Sequence, residues 1–325
     1  MVVGLGLLMA AELGAVLSGM EFSGQYGISH VAATVTKNLI YGWATFSDQA
    51  GNRLEGGDAF EVLASNLPNG PVYALIDKAS PAIRDGLRCG QPNIFLALDR
   101  QGIDPFTQRF PVTLRYEGTV RGVGGLLVDS RAATTVPGLF AAGDAASREA
   151  LVGATSGGGG PNSTWAIASG SWAGRAAAAF VRQEPRAGLR RPGQLAEADL
   201  PVPDDDAHRA SLATIQGELF AVERNFTRSG PGMRRSLESL DAVWRRTGEI
   251  RRQRPPADQV LRALRGRELA AMTATARWIY ASALARTETR GIHRRRDYMA
   301  TIPAQARSLH VSGLDTMVVT AEAPR

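Results

Sequence analysis

The spacing of apolar residues divides the chain into a mixed first part and a helical last part. Between residues 1 and about 115, short apolar runs alternate with turn signals such as Gly51-Asn52 and Pro68-Asn69-Gly70, as is typical of an α+β unit. After residue 206 apolar residues recur with the period of a helix. The stripes consist of Leu212, Ile215, Leu219 and Val222, then Leu237, Leu240, Val243 and Trp244, and then Leu261, Leu264, Leu269, Met272, Ala276, Ile279 and Tyr280. We therefore expect a helical bundle, with one long helix over about 258–289.

The first and middle segments carry further element signals. Apolar residues between Leu7 and Leu17 are spaced as in one buried helix. In the middle, residues 124–129 and 139–144 read as short strands, and the second of these strands ends in Gly143-Asp144. A glycine run follows, and Asn162-Ser163 then predicts the cap of a helix with a face of small residues. We find no internal repeat.

Composition excludes several classes of protein. One cysteine among 325 residues excludes a disulfide framework, and four scattered histidines without metal-ligand spacing predict no metal site. Glu12 interrupts the first apolar run and no transmembrane segment follows, so we expect a cytoplasmic protein without a membrane span. Cys89 is expected to be a small buried residue rather than a nucleophile.

The net charge of +6 comes almost entirely from arginine. Arginine clusters occur at residues 190–191, 245–246, 251–254 and 294–296, but few aromatic residues accompany them. Binding to single-stranded nucleic acid combines cations with aromatic stacking platforms, so we read the clusters as solvated surface and expect no nucleic-acid partner. A basic scaffold that binds an acidic polymer is the weakest alternative.

The middle segment has the residues of a ligand cradle. Gly143 lets a ligand approach the backbone, and Asp144 can accept hydrogen bonds from sugar-like hydroxyls. The glycines of residues 157–160 can wrap a flat or charged group, and the positive end of the following helix stabilises negative charge. The pattern alone fits a structural turn and loop equally well.

A resemblance favours the cradle. Residues 135–144, TVPGLFAAGD, with Asn162, Ser163 and Thr164, resemble the second FAD-binding motif of the fumarate reductase/succinate dehydrogenase flavoprotein family. The resemblance implies that Asp144 after Gly143 binds the ribityl chain, and that the turn at Asn162, Ser163 and Thr164 offers amides to the flavin ring.

Two flanking segments resemble the same family in the same order along the chain. Residues 6–22 are similar to the helix and strand that lead into its capping domain, and residues 286–298 are similar to its C-terminal Arg-x-Glu-Ser-Arg-Gly-x-His signature. The segment around Tyr26 and Trp43 is similar to the adenylylsulfate-reductase-like branch, where aromatic residues line the flavin pocket. An aromatic pair is also a common feature of a core.

The chain departs from the family in its cofactor motif. It contains no G-x-G-x-x-G, the fingerprint that binds the ADP half of FAD. We therefore expect the chain to correspond to the C-terminal part of such a flavoprotein. The alternative to an independent enzyme is a truncated or split flavoprotein fragment without its own catalysis.

The chain also departs at the positions that hold dicarboxylates. Tyr26, Ile40, Val120 and Gly158 stand where the resemblance places substrate histidines and arginines. No cation remains there to pair with succinate or fumarate, so we expect another small-molecule substrate.

The candidate catalytic residues are Tyr26, Trp43, Arg290 and His293. Arg290 and His293 could donate to an anionic substrate, but we favour pairing with Glu288 and Asp297 to fix the bundle.

Together these observations predict an α/β protein. Residues 1–20 would be a helix of the FAD-binding domain, 21–115 the capping domain, 116–183 the rest of the partial, Rossmann-like FAD-binding domain, 184–206 a linker, and 207–325 a helical domain. The function expected is an FAD-dependent oxidoreductase with non-covalent FAD, a small-molecule substrate, and an N-terminal flavoprotein half or electron-transfer protein as partner.

Overall fold

The computed structural model describes residues 4–156, 159–183, 205–250 and 260–323, so most of the linker predicted at 184–206 lies outside the described residues. The α-helices are α1 (Leu5–Glu12), α2 (Ala59–Asn66), α3 (Pro81–Gly90), α4 (Phe95–Asp99), α5 (Gly118–Arg121), α6 (Glu149–Val152), α7 (Gly159–Gln183), α8 (Asp205–Leu219), α9 (Val222–Asn225), α10 (Gly230–Ile250) and α11 (Val260–Ala285). The strands are β1 (Leu17–Ser18), β2 (Tyr26–His30), β3 (Thr45–Ser47), β4 (Arg53–Leu54), β5 (Val72–Leu75), β6 (Phe110–Tyr116), β7 (Gly125–Leu126), β8 (Thr227–Arg228), β9 (Arg294–Arg295), β10 (Leu309–Ser312) and β11 (Val318–Ala321).

The predicted mixture of helices and sheets is confirmed. The described chain forms two compact units. Tyr26–Glu117 is one, hereafter the inserted unit, and the residues on both sides of it form the other, hereafter the discontinuous unit.

The inserted unit is built on an antiparallel sheet with strand order β2-β6-β5-β3-β4. Strand β6 alternates buried and half-buried residues, and Phe110 and Val112 point into the core at 1% exposure. Helix α2 packs near β6 and is capped by Asp58, whose carboxylate accepts a hydrogen bond from the Glu61 amide at 2.9 Å.

The helical bundle of the discontinuous unit confirms the predicted periodicity in α8, α10 and most of α11, except that Val222 of the first stripe lies in the separate helix α9. Ile215, Leu240 and Val243 are buried on facing sides of the bundle. The long helix runs over 260–285, shorter than the predicted 258–289, and residues 258–259 lie outside the description. Among the described residues no helix is both long and apolar enough to cross a bilayer.

Two residues of the predicted stripe on α11 are exposed. Leu261 and Leu264 are 72% and 47% exposed, and Ala263 is buried instead. Periodicity shows which residues share a helix face, but burial also needs a neighbouring element that covers that face. In the described chain no element covers Leu261 and Leu264 in the first turns of α11, so the prediction failed there.

A four-stranded antiparallel sheet, with strand order β11-β10-β1-β7, completes the discontinuous unit. Most of the region predicted as a helical domain, 207–325, is helical where described, but β10 and β11 form a hairpin at its end that the sequence did not predict. Val311 is buried at 0%, but β11 is mostly exposed, so the hairpin lacks the long apolar run that would have revealed it.

The predicted continuous helix over the first segment was also wrong. Helix α1 ends at Glu12, and Leu17 belongs to β1. Gly14 has φ +88°, and the amides of Gly14 and Ala15 donate back to Ala11 and Ala10, which is a glycine-terminated helix end.

The middle segment is extended but contains less strand than predicted. Strand β7 covers only Gly125–Leu126 of the predicted 124–129. Residues 139–142 form no strand, because a single bridge between Phe140 and Ala133 is their only pairing among the described residues.

Candidate functional site

The Gly143-Asp144 turn is fixed to helix α7 on both sides of Gly143. The Gly143 amide donates to Ser169 Oγ at 3.0 Å, and the indole Nε1 of Trp165 donates to the Gly143 carbonyl at 3.0 Å. Gly143 has φ +59°, and a Cβ added there would lie 3.7 Å from Ala166, an ordinary contact. Backbone conformation, rather than lack of space, therefore calls for glycine at this position.

Asp144 faces a buried arginine that the sequence analysis did not single out. Arg148 is 1% exposed, and its Nη2 lies 3.4 Å from Asp144 Oδ1 while donating to the carbonyls of Thr119 and Val120, each at 3.0 Å. Burial lowers the pKa of Arg148, and the neighbouring Asp144 opposes this shift. The two residues are four apart in the sequence, but Ala146 between them is extended, so helical spacing gave no signal for this pair.

Asn162 joins the same cluster from helix α7. Its Nδ2 donates to the Val120 carbonyl at 3.4 Å, and its buried Oδ1 has no hydrogen-bond partner among the described residues. Asp144, Arg148 and Asn162 therefore meet around the Thr119-Val120 backbone.

The predicted helix cap at Asn162-Ser163 is wrong. Helix α7 begins at Gly159, so Asn162, Ser163 and Thr164 lie in its first turns. Only the first four amides of a helix lack an acceptor within it, and Ser163 and Thr164 stand beyond those positions of α7 as described. The helix starts early because glycine and Pro161 are compatible with its first turn. Ser163 and Thr164 are exposed and follow directly along the same helix.

The two aromatic candidates lie in the inserted unit. Tyr26 is buried at 2% and packs edge-on against Tyr116, with ring centroids 5.5 Å apart. Trp43 is half-buried at the end of a 3-10 turn over Leu39–Trp43, and its carbonyl accepts from the Lys78 amide at 3.1 Å. Ile40 in the same turn is fully buried.

Arg290 is part of an ion-pair network at the end of the bundle, as favoured above. Its Nε and Nη2 donate to the two oxygens of Glu288 at 2.6 and 3.1 Å. Glu288 is fully buried and also accepts from Arg286 at 3.0 Å. Burial favours a higher pKa for Glu288, but hydrogen bonds from Arg290, the Ile302 amide and Arg286 hold the pKa below its usual value.

His293 has different partners from those predicted. It is fully buried, its Nδ1 lies 2.9 Å from Arg228 Nη1, and its Nε2 lies 3.3 Å from the Arg286 carbonyl. Because Arg228 is a donor and the carbonyl an acceptor, this geometry fits the neutral ring with its proton on Nε2. Burial and the nearby arginines hold its pKa well below 6.5. Asp297 instead accepts hydrogen bonds from Nε of Arg295 at 2.7 Å and from the Gly230 amide at 2.6 Å.

A buried ion pair in the same region was missed. Glu21 is fully buried, and its Oε1 accepts from Nε and Nη2 of Arg286 at 2.8 and 2.6 Å. Burial raises the pKa of Glu21 to about 7, Arg286 opposes this, and Glu149 adds to it. These partners are 265 residues apart, so no local pattern could have connected them.

Cys89 and Gly158 are the remaining residues named from the sequence. Cys89 was predicted to be buried and is exposed, because it lies on the outer side of α3. Gly158, one of the four substrate positions, lies outside the described residues. Among the described residues no group of histidine, cysteine and carboxylate side chains could hold a metal ion.

Comparison with known proteins identifies the fold and the family. Residues 217–311 match the family described as fumarate reductase flavoprotein C-term. The chain is 30% identical over 284 residues to an L-aspartate oxidase of Mycobacterium tuberculosis, covering 84% of this chain and 49% of the relative. It thus spans about half the length of the curated relatives that it matches first.

Solved structures share the fold over nearly the whole chain. Quinol fumarate reductase of E. coli superposes with a TM-score of 0.75 at 20% identity, covering 98% of this chain and 61% of that one. Adenylylsulfate reductase of Archaeoglobus fulgidus superposes with a TM-score of 0.69 at 15% identity, covering 97% and 60%. The fold is that of the capping and C-terminal parts of these flavoproteins. The chain belongs to the fumarate reductase/succinate dehydrogenase flavoprotein family.

Proposed function

We propose that this chain forms the part of an FAD-dependent oxidoreductase that holds the ribityl chain and flavin ring. The single observation that carries the proposal is the convergence of Asp144 and Asn162 on one backbone segment, through Arg148 and the Val120 carbonyl. When bound, FAD would supply the hydride-exchanging group, and the chain's own residues would bind and orient it.

The side chains present fit this ligand. Asp144 is 41% exposed, and its Oδ2 makes no hydrogen bond within the described chain. It can therefore accept hydrogen bonds from ribityl hydroxyls, while the glycine before it allows close approach. Asn162 adds a buried amide oxygen that a donor on the ligand would satisfy. These groups offer hydrogen bonds and no nucleophile, so we expect FAD to be held non-covalently.

The substrate is proposed to be a small molecule other than succinate or fumarate. Ile40 and Tyr26 stand at two of the positions where the resemblance places substrate cations; neither side chain carries a positive charge, and both are buried. L-Aspartate is still the first compound to test, because the curated relatives bear the name L-aspartate oxidase. Since L-aspartate is itself a dicarboxylate, its oxidation by this protein would contradict the argument from the missing cations. We further propose a cytoplasmic location, which rests on the single cysteine.

Arg290 and His293 are proposed to stabilise the bundle rather than react. Both nitrogens of the His293 ring are engaged, and Arg290 is paired with Glu288.

The experiment is a titration of the purified chain with FAD, followed by flavin fluorescence. We expect one FAD per chain, and we expect the Asp144→Ala variant to bind at least about tenfold more weakly, since a hydrogen bond to a charged group contributes about 1.5–3 kcal/mol. Asp85→Ala, which removes an exposed carboxylate from α3, serves as the control and should bind as the wild type does. Equal affinity of the Asp144→Ala variant and the wild type would refute the proposed site.

A second candidate is that the chain works with a separate polypeptide that carries the dinucleotide-binding motif. The observation in its favour is the apolar surface of α7, where Ile167, Trp172 and Val181 are 76%, 40% and 64% exposed. FAD binding by the chain alone would disfavour it, and binding that requires the added polypeptide would support it.

A further inference from the structure

Arg148 combines deep burial with incomplete pairing. It is 1% exposed, and its Nε and Nη1 are buried without a hydrogen-bond partner among the described residues. A buried polar atom without a partner destabilises the fold, and such groups recur where a side chain also serves function. An arginine needed only for packing would be expected to satisfy more of its donors.

The charge of Arg148 is only partly balanced. Its one carboxylate partner in the described chain is Asp144, at 3.4 Å, and this carboxylate is 41% exposed and so partly screened by solvent. The nearby Arg121 adds a second positive charge. Because an arginine keeps its proton in proteins, the position next to Asp144 holds a permanent, water-shielded cation.

Arg148 also connects the three segments of the candidate site. Its Nη2 donates to the carbonyls of Thr119 and Val120 on α5 and approaches Asp144, and the Val120 carbonyl accepts from Asn162 as well. Removing the guanidinium would free the Asp144 carboxylate from α5 and leave two carbonyls without this donor.

We propose that Arg148 is the positioning residue of this flavin site: it orients Asp144 toward the ribityl chain and supplies the fixed positive charge that favours reduced over oxidised flavin. This inference rests on the proposed function. Reduction adds negative charge to the flavin, and a buried cation interacts with that charge more strongly than an exposed one does. Arg148 therefore raises both the affinity for FAD and the midpoint potential of the bound flavin.

The test compares the wild-type chain with Arg148→Met, Arg148→Lys and Arg131→Met. FAD affinity is measured by fluorescence titration, and the midpoint potential by equilibration with reference dyes. We expect at least tenfold weaker FAD binding in Arg148→Met, together with a lower potential. For a two-electron couple, each tenfold loss of affinity for reduced relative to oxidised flavin corresponds to about 30 mV.

The other two variants separate charge from geometry. Arg148→Lys keeps the positive charge, but a lysine ammonium lacks the planar guanidinium that contacts the Thr119 and Val120 carbonyls and the Asp144 carboxylate together. We therefore expect the midpoint potential of the wild type with weaker FAD binding. Arg131→Met removes an exposed arginine whose side chain makes no hydrogen bond within the described chain, and neither quantity should change.

The measured FAD affinities and midpoint potentials distinguish the possible roles of Arg148. Wild-type affinity and potential in all Arg148 variants would overturn the inference and leave the proposed function standing. A loss of affinity with an unchanged potential in Arg148→Met would reduce Arg148 to a structural residue and overturn the electrostatic role. Should Arg148→Met fail to fold, as judged by circular dichroism, the Arg148→Lys variant provides the test. An FAD affinity equal to that of the wild type, or a flavin midpoint potential lowered by about 30 mV or more, would contradict the inference. A wild-type chain that binds no FAD contradicts the proposed function and this inference together.

Discussion

At the scale of single residues, Gly143 and Arg148 shape the candidate site. Gly143 has φ +59°, which turns the backbone so that Asp144 follows at the surface. Arg148 is 1% exposed and places a guanidinium beside that carboxylate.

The conformation of Gly143 leads to the first prediction. At φ +59° an alanine would be strained although space is available, so Gly143→Ala should lower the free energy of unfolding by about 1–2 kcal/mol. Gly174→Ala, at an open position within α7, should instead raise it by up to about 1 kcal/mol. Urea denaturation of both variants measures the difference, and equal effects of the same sign would show that the turn is not as described.

The buried carboxyl of Glu21 leads to the second prediction. Its pKa is raised from 4.5 to about 7, so its contribution to stability is present below pH 4.5 and is lost as the pH rises through 7. Relative to Glu21→Gln, the wild type should therefore be more stable at pH 4.5 than at pH 8, by on the order of 3 kcal/mol. Unfolding curves of both proteins across this range provide the measurement. A difference that does not change with pH would mean that Glu21 titrates normally.

At the scale of elements, helix α7 determines where the candidate site forms. Trp165 and Ser169, one turn apart, hold Gly143 from both sides, and Asn162 lies one turn earlier on the same helix. The sequence predicted this helix and its small residues, but placed its start at a cap three residues too late. The Asn-Ser pair resembles a cap, yet Gly159 and Pro161 allow the helix to begin sooner.

The indole hydrogen bond of Trp165 leads to the third prediction. Trp165→Phe removes the donor to the Gly143 carbonyl but keeps an aromatic ring, so it should cost about 1 kcal/mol of stability and weaken FAD binding. Trp172 packs against Trp165 with ring centroids 6.1 Å apart and makes no hydrogen bond within the described chain. Trp172→Phe should therefore leave FAD binding unchanged. Equal FAD affinities of the two variants would argue against the anchoring role of Trp165.

At the scale of the whole chain, local patterns recovered the helical bundle and the order of its stripes, because helix periodicity is a property of neighbouring residues. They missed the β10–β11 hairpin, because the mostly exposed β11 gives no apolar run. They missed the Glu21–Arg286 pair, because its partners are 265 residues apart in the sequence. They also assigned Leu261 and Leu264 to the core, since a stripe predicts a face but not what covers it.

The central claim is that the Gly143-Asp144 turn and the start of α7 together hold a flavin. Hydrogen exchange measured by mass spectrometry, with and without FAD, tests it most directly. We predict that added FAD slows exchange in peptides covering residues 118–121, 143–148 and 159–165, and that Asp144→Ala abolishes this protection. Protection confined to other segments, or none in the wild-type chain, would contradict the account.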